Sequence, residues 1–151
     1  MKYRILLLLL FFITSFNKNL FSETQQINDN TLSTTKQIKA ILEDDIYPNS
    51  SNSRRIVLVV EEDVQNDSLN KVLIPKYTRL ICQQNEVKRL NDLDIIFASC
   101  NKIFLPLGKS IDFKGNVFSN DLKAGMSTKK NVRIPKGTKV IVKAEYEMNF
   151  D

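Results

Sequence analysis

Residues 72–81 read VLIPKYTRLI, and sixty positions further on residues 132–141 repeat the phrase as VRIPKGTKVI. In both copies an apolar approach leads into a proline, a short polar turn and a resumed alternation of basic and apolar side chains. Proline fixes φ and has no N–H to donate, so it interrupts a strand and favours a turn. Each copy therefore predicts a corner between two β-strands.

Strand patterns surround the first corner. Within residues 54–64, a β-branched run at 56–60 predicts a strand covered on both faces. Residues 72–84 and 93–105 predict two consecutive strands joined by a turn near Asn91.

The C-terminal half continues the pattern. Residues 105–108, Leu-Pro-Leu-Gly, place proline and glycine where a type I turn prefers them, which predicts a hairpin with a strand at 110–113. Residues 139–150 alternate and predict one half-buried strand, in which only Ile141 interrupts the polar face. Residues 36–45 fit a helix or a short strand, and a loop follows to residue 53. Together these patterns predict an all-β domain, a small β-sandwich or barrel.

The N-terminal segment has the pattern of a targeting signal. Lys2 and Arg4 precede an apolar run at residues 5–16, which is shorter than the roughly 20 residues needed to span a bilayer. Residues 1–22 therefore predict a signal peptide cut after Ser22, or alternatively an uncleaved inner-membrane anchor formed by residues 5–21. The polar residues 23–35 predict a flexible lead-in, and residues 36–151 predict the β domain. In either case we expect the bulk of the chain in the periplasm.

Charge gives no indication of a nucleic-acid partner. The chain carries 22 basic and 17 acidic side chains, and three of the basic ones lie in residues 1–22, which leaves 19 against 17. No dense basic patch interleaved with aromatics occurs, so a specific DNA or RNA reader is not expected. The most basic cluster is interpreted as a solvated turn; it consists of Lys129, Lys130, Arg133, Lys136 and Lys139.

The two cysteines, Cys82 and Cys100, fall in the two consecutive predicted strands. An exported chain meets an oxidising compartment, where a disulfide between them is reasonable. They face each other if the turn centres near Asn91, whereas a shift of one residue puts them on opposite faces. A disulfide and two buried free thiols both remain open.

Several kinds of catalytic chemistry are absent from the sequence. The chain has no histidine, which removes Ser-His-Asp and Cys-His arrangements and the commonest zinc ligand. The acidic residues at 44–45 and 61–63 are interpreted as solvated, because adjacent carboxylates on a strand point to alternate faces. We predict no catalytic residue, no cofactor and no metal site, and we do not expect an enzyme.

Read in order, the β segments resemble the C-terminal periplasmic domain of the TrbI/VirB-type scaffold of type IV secretion systems. This family contains the tenth VirB component and the TraB-like conjugation proteins. The matching stretches are residues 55–64 for the first strand, 73–81 for an isoleucine-proline-x-glycine-(Ser/Thr)-x-leucine corner, 101–111 for a hairpin, 124–125 for an alanine-glycine pair and 134–151 for the closing strand. The resemblance runs from about Ile38 to the end.

The resemblance assigns family-motif positions to both corners: Ile74, Pro75 and Thr78 in the first, and Ile134, Pro135, Gly137 and Thr138 in the second. Tyr77 stands where the family has glycine. Because glycine there can adopt positive φ, the geometry of the first corner is in question.

The sequence departs from the family in a second respect. The family carries a long insertion whose helices cross the outer membrane, whereas residues 126–131 alone fill that gap here. At about 1.5 Å of rise per residue they are far too few for two spanning helices. The family's cytoplasmic segment and proline-rich linker have no counterpart either. The resemblance therefore implies the β domain without the outer-membrane pore.

By this resemblance the chain is a structural, non-enzymatic component of a type IV secretion or conjugation envelope complex. It implies a homo-oligomer that packs against lipoprotein and periplasmic scaffold subunits, and we expect exposed apolar side chains such as Ile141 and Phe118 to become buried between protomers. One alternative is a periplasmic chaperone or cell-wall-binding module, as in flagellar P-ring chaperones, where similar corners occur. Another is a degenerate remnant that has lost its partners.

Overall fold

The computed structural model describes residues 30–48 and 54–151. Every regular element in these residues is a β-strand, and they contain no helix. The predicted all-β class is therefore confirmed. The predicted leader at residues 1–22, residues 23–29 of the predicted lead-in and residues 49–53 of the predicted loop lie outside the described residues.

The described residues contain eleven strands. They are β1 (Thr31–Leu32), β2 (Ile38–Leu42), β3 (Arg55–Val60), β4 (Val64–Gln65), β5 (Val72–Ile74), β6 (Arg79–Leu90), β7 (Leu93–Phe104), β8 (Ser110–Ser119), β9 (Met126–Lys129), β10 (Lys139–Ala144) and β11 (Met148–Asn149). Every pairing between them is antiparallel.

Six of these strands form a closed barrel. The order around it is β6, β3, β2, β10, β8 and β7, and the pairing of β7 with β6 closes the ring. Closure removes the exposed edges that an open sheet would present, and side chains fill the interior of so small a barrel. Of the two predicted architectures, sandwich and barrel, the chain adopts the barrel.

The remaining strands extend this barrel. β9 pairs with the first four residues of β7, β4 pairs with β5, and β1 pairs with β11. β6 and β7 are twelve residues each, twice the length of β3. Their far halves therefore project past the barrel as a hairpin.

Alternate residues of the barrel strands point inward and form one apolar core. On β3, Ile56, Leu58 and Val60 are buried, whereas the intervening valines are half-buried. We expected residues 56–60 to be covered on both faces of the sheet; they are fully buried on one face and half-buried on the other. The core includes Ile38, Ala40, Leu42, Leu80, Ile96, Ile103, Phe113, Val117, Val140 and Val142.

Of the two alternatives for residues 36–45, a helix and a short strand, the structure has the strand, because β2 lies between β3 and β10 and its backbone bonds to both. The single strand predicted at residues 139–150 is wrong: it bends at residues 145–147, where β10 ends and β11 begins. The alternation of apolar and polar residues continues through residues 145–147, so it does not reveal this break. The break is seen in the pairing: β10 pairs with β2 and β8, whereas β11 pairs with β1.

The expectation that Ile141 is exposed is also wrong. The residue is only 3% exposed. β10 is a central strand, and the register partners of Ile141 are Lys39 on β2 and Phe118 on β8, whose side chains share its face. Phe118 is itself half-buried, with the Lys143 ammonium 5.7 Å from its ring centre.

Part of the predicted lead-in is ordered. Thr31 and Leu32 form β1, and Leu32 is buried in the core. Across residues 30–48 and 54–151 there is no helix of the length and apolarity that would let it cross a membrane.

Candidate functional site: the two proline corners

The two corners have the same internal geometry. In each, the threonine N–H donates to the proline carbonyl three residues earlier, at 3.2 Å in both copies. The residue before the threonine has positive φ, +68° at Tyr77 and +81° at Gly137. The first corner therefore keeps the backbone of the second, and Tyr77 takes the left-handed conformation that the second corner assigns to glycine.

Each corner docks on the end of a different barrel strand. The first exchanges two hydrogen bonds with Val60 of β3: Tyr77 N–H to the Val60 carbonyl at 2.9 Å, and Val60 N–H to the Thr78 carbonyl at 2.9 Å. The second makes the equivalent bonds with Leu42 of β2, at 2.9 and 3.0 Å through Gly137 and Thr138. Because β2 and β3 are antiparallel, the corners lie at opposite ends of this strand pair.

A carboxylate caps each corner. Asp63 accepts a hydrogen bond from the Lys76 N–H at 2.7 Å, and Asp45 accepts one from the Lys136 N–H at 2.7 Å. Each aspartate stands three residues after the strand end on which its corner docks, Val60 and Leu42 respectively. The sequence repeat therefore reflects a pseudo-two-fold arrangement of the strands β6-β3-β2-β10.

These two aspartates are the residues that sequence reasoning missed, since it interpreted both acidic groups as merely solvated. Their equal spacing from the two strand ends was a signal, but one that requires knowing where the strands end. The Lys136 N–H and, secondarily, the Arg133 guanidinium hold the pKa of Asp45 below its ordinary value. Arg133 also forms an ion pair with Asp45.

Some of the motif residues are buried in the core, and others are exposed to solvent. Ile74 and Ile134 are both buried, and each pairs across the corner with a residue that follows the capping aspartate, Val64 and Ile46. Thr78 is fully buried, whereas Thr138 is partly exposed and its hydroxyl donates to the Pro135 carbonyl at 2.7 Å. Pro135 and Gly137 are exposed, and Pro75 is half-buried.

A cleft, called here the corner cleft, opens beside the first corner. It is lined by Glu43, Val59, Tyr77, Arg79, Phe104, Leu105, Pro106 and Gly108. The Arg79 guanidinium contacts Glu43 Oε1 at 2.6 and 3.0 Å, so the two charges in the cleft are paired. Leu107, in the turn that borders the cleft, is 99% exposed, and Tyr77 is 67% exposed.

Cys82 and Cys100 are register partners across β6 and β7, the seam that closes the barrel. Both are buried, and the structure has their sulfurs joined as a disulfide. The turn between the two strands is at Asn91 and Asp92, where the sequence predicts it.

The described residues offer no grouping suited to a bound metal ion: no three or more histidine, cysteine, aspartate or glutamate side chains come together there.

The closed six-stranded barrel with a proline corner at each end of its β2–β3 pair defines the class of domain. Among solved structures, the chain is similar to ComB10 of the Com type IV secretion system of Helicobacter pylori, with a TM-score of 0.62 and 13% sequence identity. The similarity covers 81% of this chain and 91% of the ComB10 chain. No protein-family model and no curated protein sequence matches. The resemblance to the TrbI/VirB-type β domain is confirmed at the level of the fold.

Proposed function

We propose that this chain is a structural, non-enzymatic component of a bacterial type IV secretion or conjugation envelope complex. The observation that carries the proposal is the likeness of its fold to ComB10 over most of both chains. We place it in the periplasm, following the leader predicted at residues 1–22. Membrane contact is then confined to that segment, if it is not cleaved.

Its partners in this proposal are lipoprotein and periplasmic scaffold subunits and further copies of itself, with no specific nucleic acid. In this proposal, scaffold subunits bind at the corner cleft. Tyrosine, phenylalanine and arginine are enriched at protein interfaces, and Tyr77, Phe104 and Arg79 meet here. Exposed Leu107 continues the apolar surface beside them.

The conformation of Tyr77 supports the same surface. A left-handed conformation costs a non-glycine residue about 1–2 kcal/mol, and Gly137 shows that glycine serves at the equivalent position. A strained residue that points its ring into solvent contributes little to the core. At Tyr77 the strained backbone coincides with the lining of the corner cleft, and backbone strain at such a site is a known companion of ligand binding.

The test is co-purification of partners with the full tagged chain, expressed from its own locus and extracted from the envelope in mild detergent. Mass spectrometry should identify lipoproteins and periplasmic scaffold subunits of a secretion apparatus. Tyr77→Gly should reduce their recovery several-fold without loss of folding, because glycine suits the backbone while removing the ring.

Leu122 offers a matched control. It is also an exposed apolar residue with positive φ, +64°, but it lies in the turn between β8 and β9. Leu122→Gly should leave the recovered partners unchanged. Recovery of flagellar or cell-wall clients in place of secretion subunits would overturn the proposal in favour of a chaperone or cell-wall-binding module.

A further inference from the structure

The projecting half of the β6–β7 hairpin has an open hydrogen-bonding edge. β3 pairs with β6 only as far as Gln83, and the Gln84 N–H still bonds to the Arg54 carbonyl. From Glu86 onward β6 pairs with β7 alone, while β7 is covered on its other side by β9. The outer side of β6 is therefore a strand edge in the part of the chain that the structure describes.

The direction of the backbone groups on this edge follows from the turn. Leu90 and Leu93 close a two-residue turn, so they form a hydrogen-bonded pair. Pairs alternate along an antiparallel ladder, so Lys88 and Glu86 also bond to β7, and the N–H and C=O of Val87 point away from it. Val87 is thus positioned to bond to another strand.

The side chains around Val87 identify the strand that fits. Glu86 and Lys88 flank it with opposite charges and share one face, with a 3.6 Å contact between their charged groups. If a second copy of this edge lies antiparallel and centred on Val87, Glu86 of each copy stands opposite Lys88 of the other. Directly opposed unlike charges stabilise an antiparallel pair, whereas like charges destabilise it.

We propose that two copies of this chain pair edge to edge through β6, about a two-fold axis at Val87. The regular paired segment runs from Glu86 to Lys88, because Asn85 is the bulged residue of β6 and Gln84 is already bonded to Arg54. The two three-stranded extensions, each β9-β7-β6, then form one continuous six-stranded sheet. This inference deepens the self-association named in the proposed function by assigning it an interface.

So short an interface implies a weak dimer, which is best trapped covalently. In a hydrogen-bonded antiparallel pair the Cα atoms lie about 5.5 Å apart, within disulfide range. Val87→Cys in the full chain, purified in mild detergent and oxidised, should therefore give a dimer on a non-reducing gel. The unmodified chain provides the background.

Leu90→Cys is the matched control for register. Leu90 lies on the same edge and is 58% exposed, more than half-buried Val87, so random collision would favour it. In the proposed pairing the two copies of Leu90 are six residues apart, about 20 Å, and should not cross-link. A Leu90→Cys dimer as abundant as that of Val87→Cys would overturn the pairing.

Charge reversal tests the complementarity in the Val87→Cys background. Glu86→Lys alone or Lys88→Glu alone places like charges opposite each other twice and should lower the dimer yield roughly fivefold or more. The double reversal, Glu86→Lys with Lys88→Glu, restores both opposed pairs and should recover the yield to within about twofold. Absence of the Val87→Cys dimer, or a double reversal as impaired as the single ones, would overturn the pairing. No envelope partner is present in this experiment, so its failure would leave the proposed secretion role to its own test.

Discussion

Tyr77 and Gly137 occupy the same backbone position in two corners that are otherwise bonded alike, with φ of +68° and +81°. A Cβ added at Gly137 would have no heavy atom within 4 Å. Differences in stability at this position therefore come from backbone conformation and from the unfolded chain, with little contribution from packing.

This pair permits a reciprocal substitution. Gly137→Ala should destabilise the fold by about 1 kcal/mol or more, whereas Tyr77→Gly should stabilise it, by less than about 1 kcal/mol because glycine also loosens the unfolded chain. Urea unfolding of each variant against the unmodified chain measures both. If Tyr77→Gly destabilises the fold as much as Gly137→Ala does, the Tyr77 ring stabilises the folded chain. The positive φ of Tyr77 would then be explained by stability and would not support a binding role.

At the scale of elements, an aspartate that follows a strand end accepts a backbone hydrogen bond from each corner: Asp63 from the first and Asp45 from the second. Asp45 caps the turn that leads into β10 and also pairs with Arg133, and these contacts hold its pKa below the ordinary value of about 3.9. A carboxylate with a lowered folded-state pKa contributes stability above its unfolded pKa, and this contribution is lost as the pH falls through the folded value.

Asp45→Asn should therefore lower the melting temperature at pH 6–7, and the difference from the unmodified chain should shrink as the pH falls below about 4. Thermal unfolding at a series of pH values measures this. Asp44→Asn, at the exposed carboxylate next in sequence, is the control and should leave the melting temperature unchanged across the series. A difference for Asp45→Asn that stays constant down to the lowest pH would mean that the charge does not fasten the corner.

At the scale of the whole molecule, the β6–β7 seam turns a sheet into a closed barrel. The residues of the Cys82–Cys100 pair are 18 positions apart, and a cross-link over such a loop is worth about 3 kcal/mol through the unfolded chain. We expect Cys82→Ala with Cys100→Ala, or reduction of the unmodified chain, to lower the free energy of unfolding by about that amount. Alkylation of the unfolded, unreduced chain followed by mass measurement tests the pairing first, since modification of either cysteine would contradict it.

Local pattern predicted β3, β6, β7, the turn at Asn91 and both corners well, because side-chain alternation and proline act over a few residues. Register was harder to predict. If the β6–β7 ladder ran from Leu90 and Leu93 without interruption, Cys82 would stand opposite Asn101. The bulge at Asn85 shifts the register by one residue, so that Cys82 stands opposite Cys100. The sequence carried no signal for this bulge, so it left a disulfide and free thiols equally open.

The sequence was sufficient to predict an all-β domain with two proline corners and without histidine-based chemistry. It was insufficient to predict that the barrel closes, that Ile141 is buried and that Asp45 and Asp63 cap the corners. Asp45 reaches Lys136 across 91 positions of chain, and Ile141 is covered by residues of two different strands. Such contacts follow from which strands become neighbours and in what register, and that depends on the packing of the complete core.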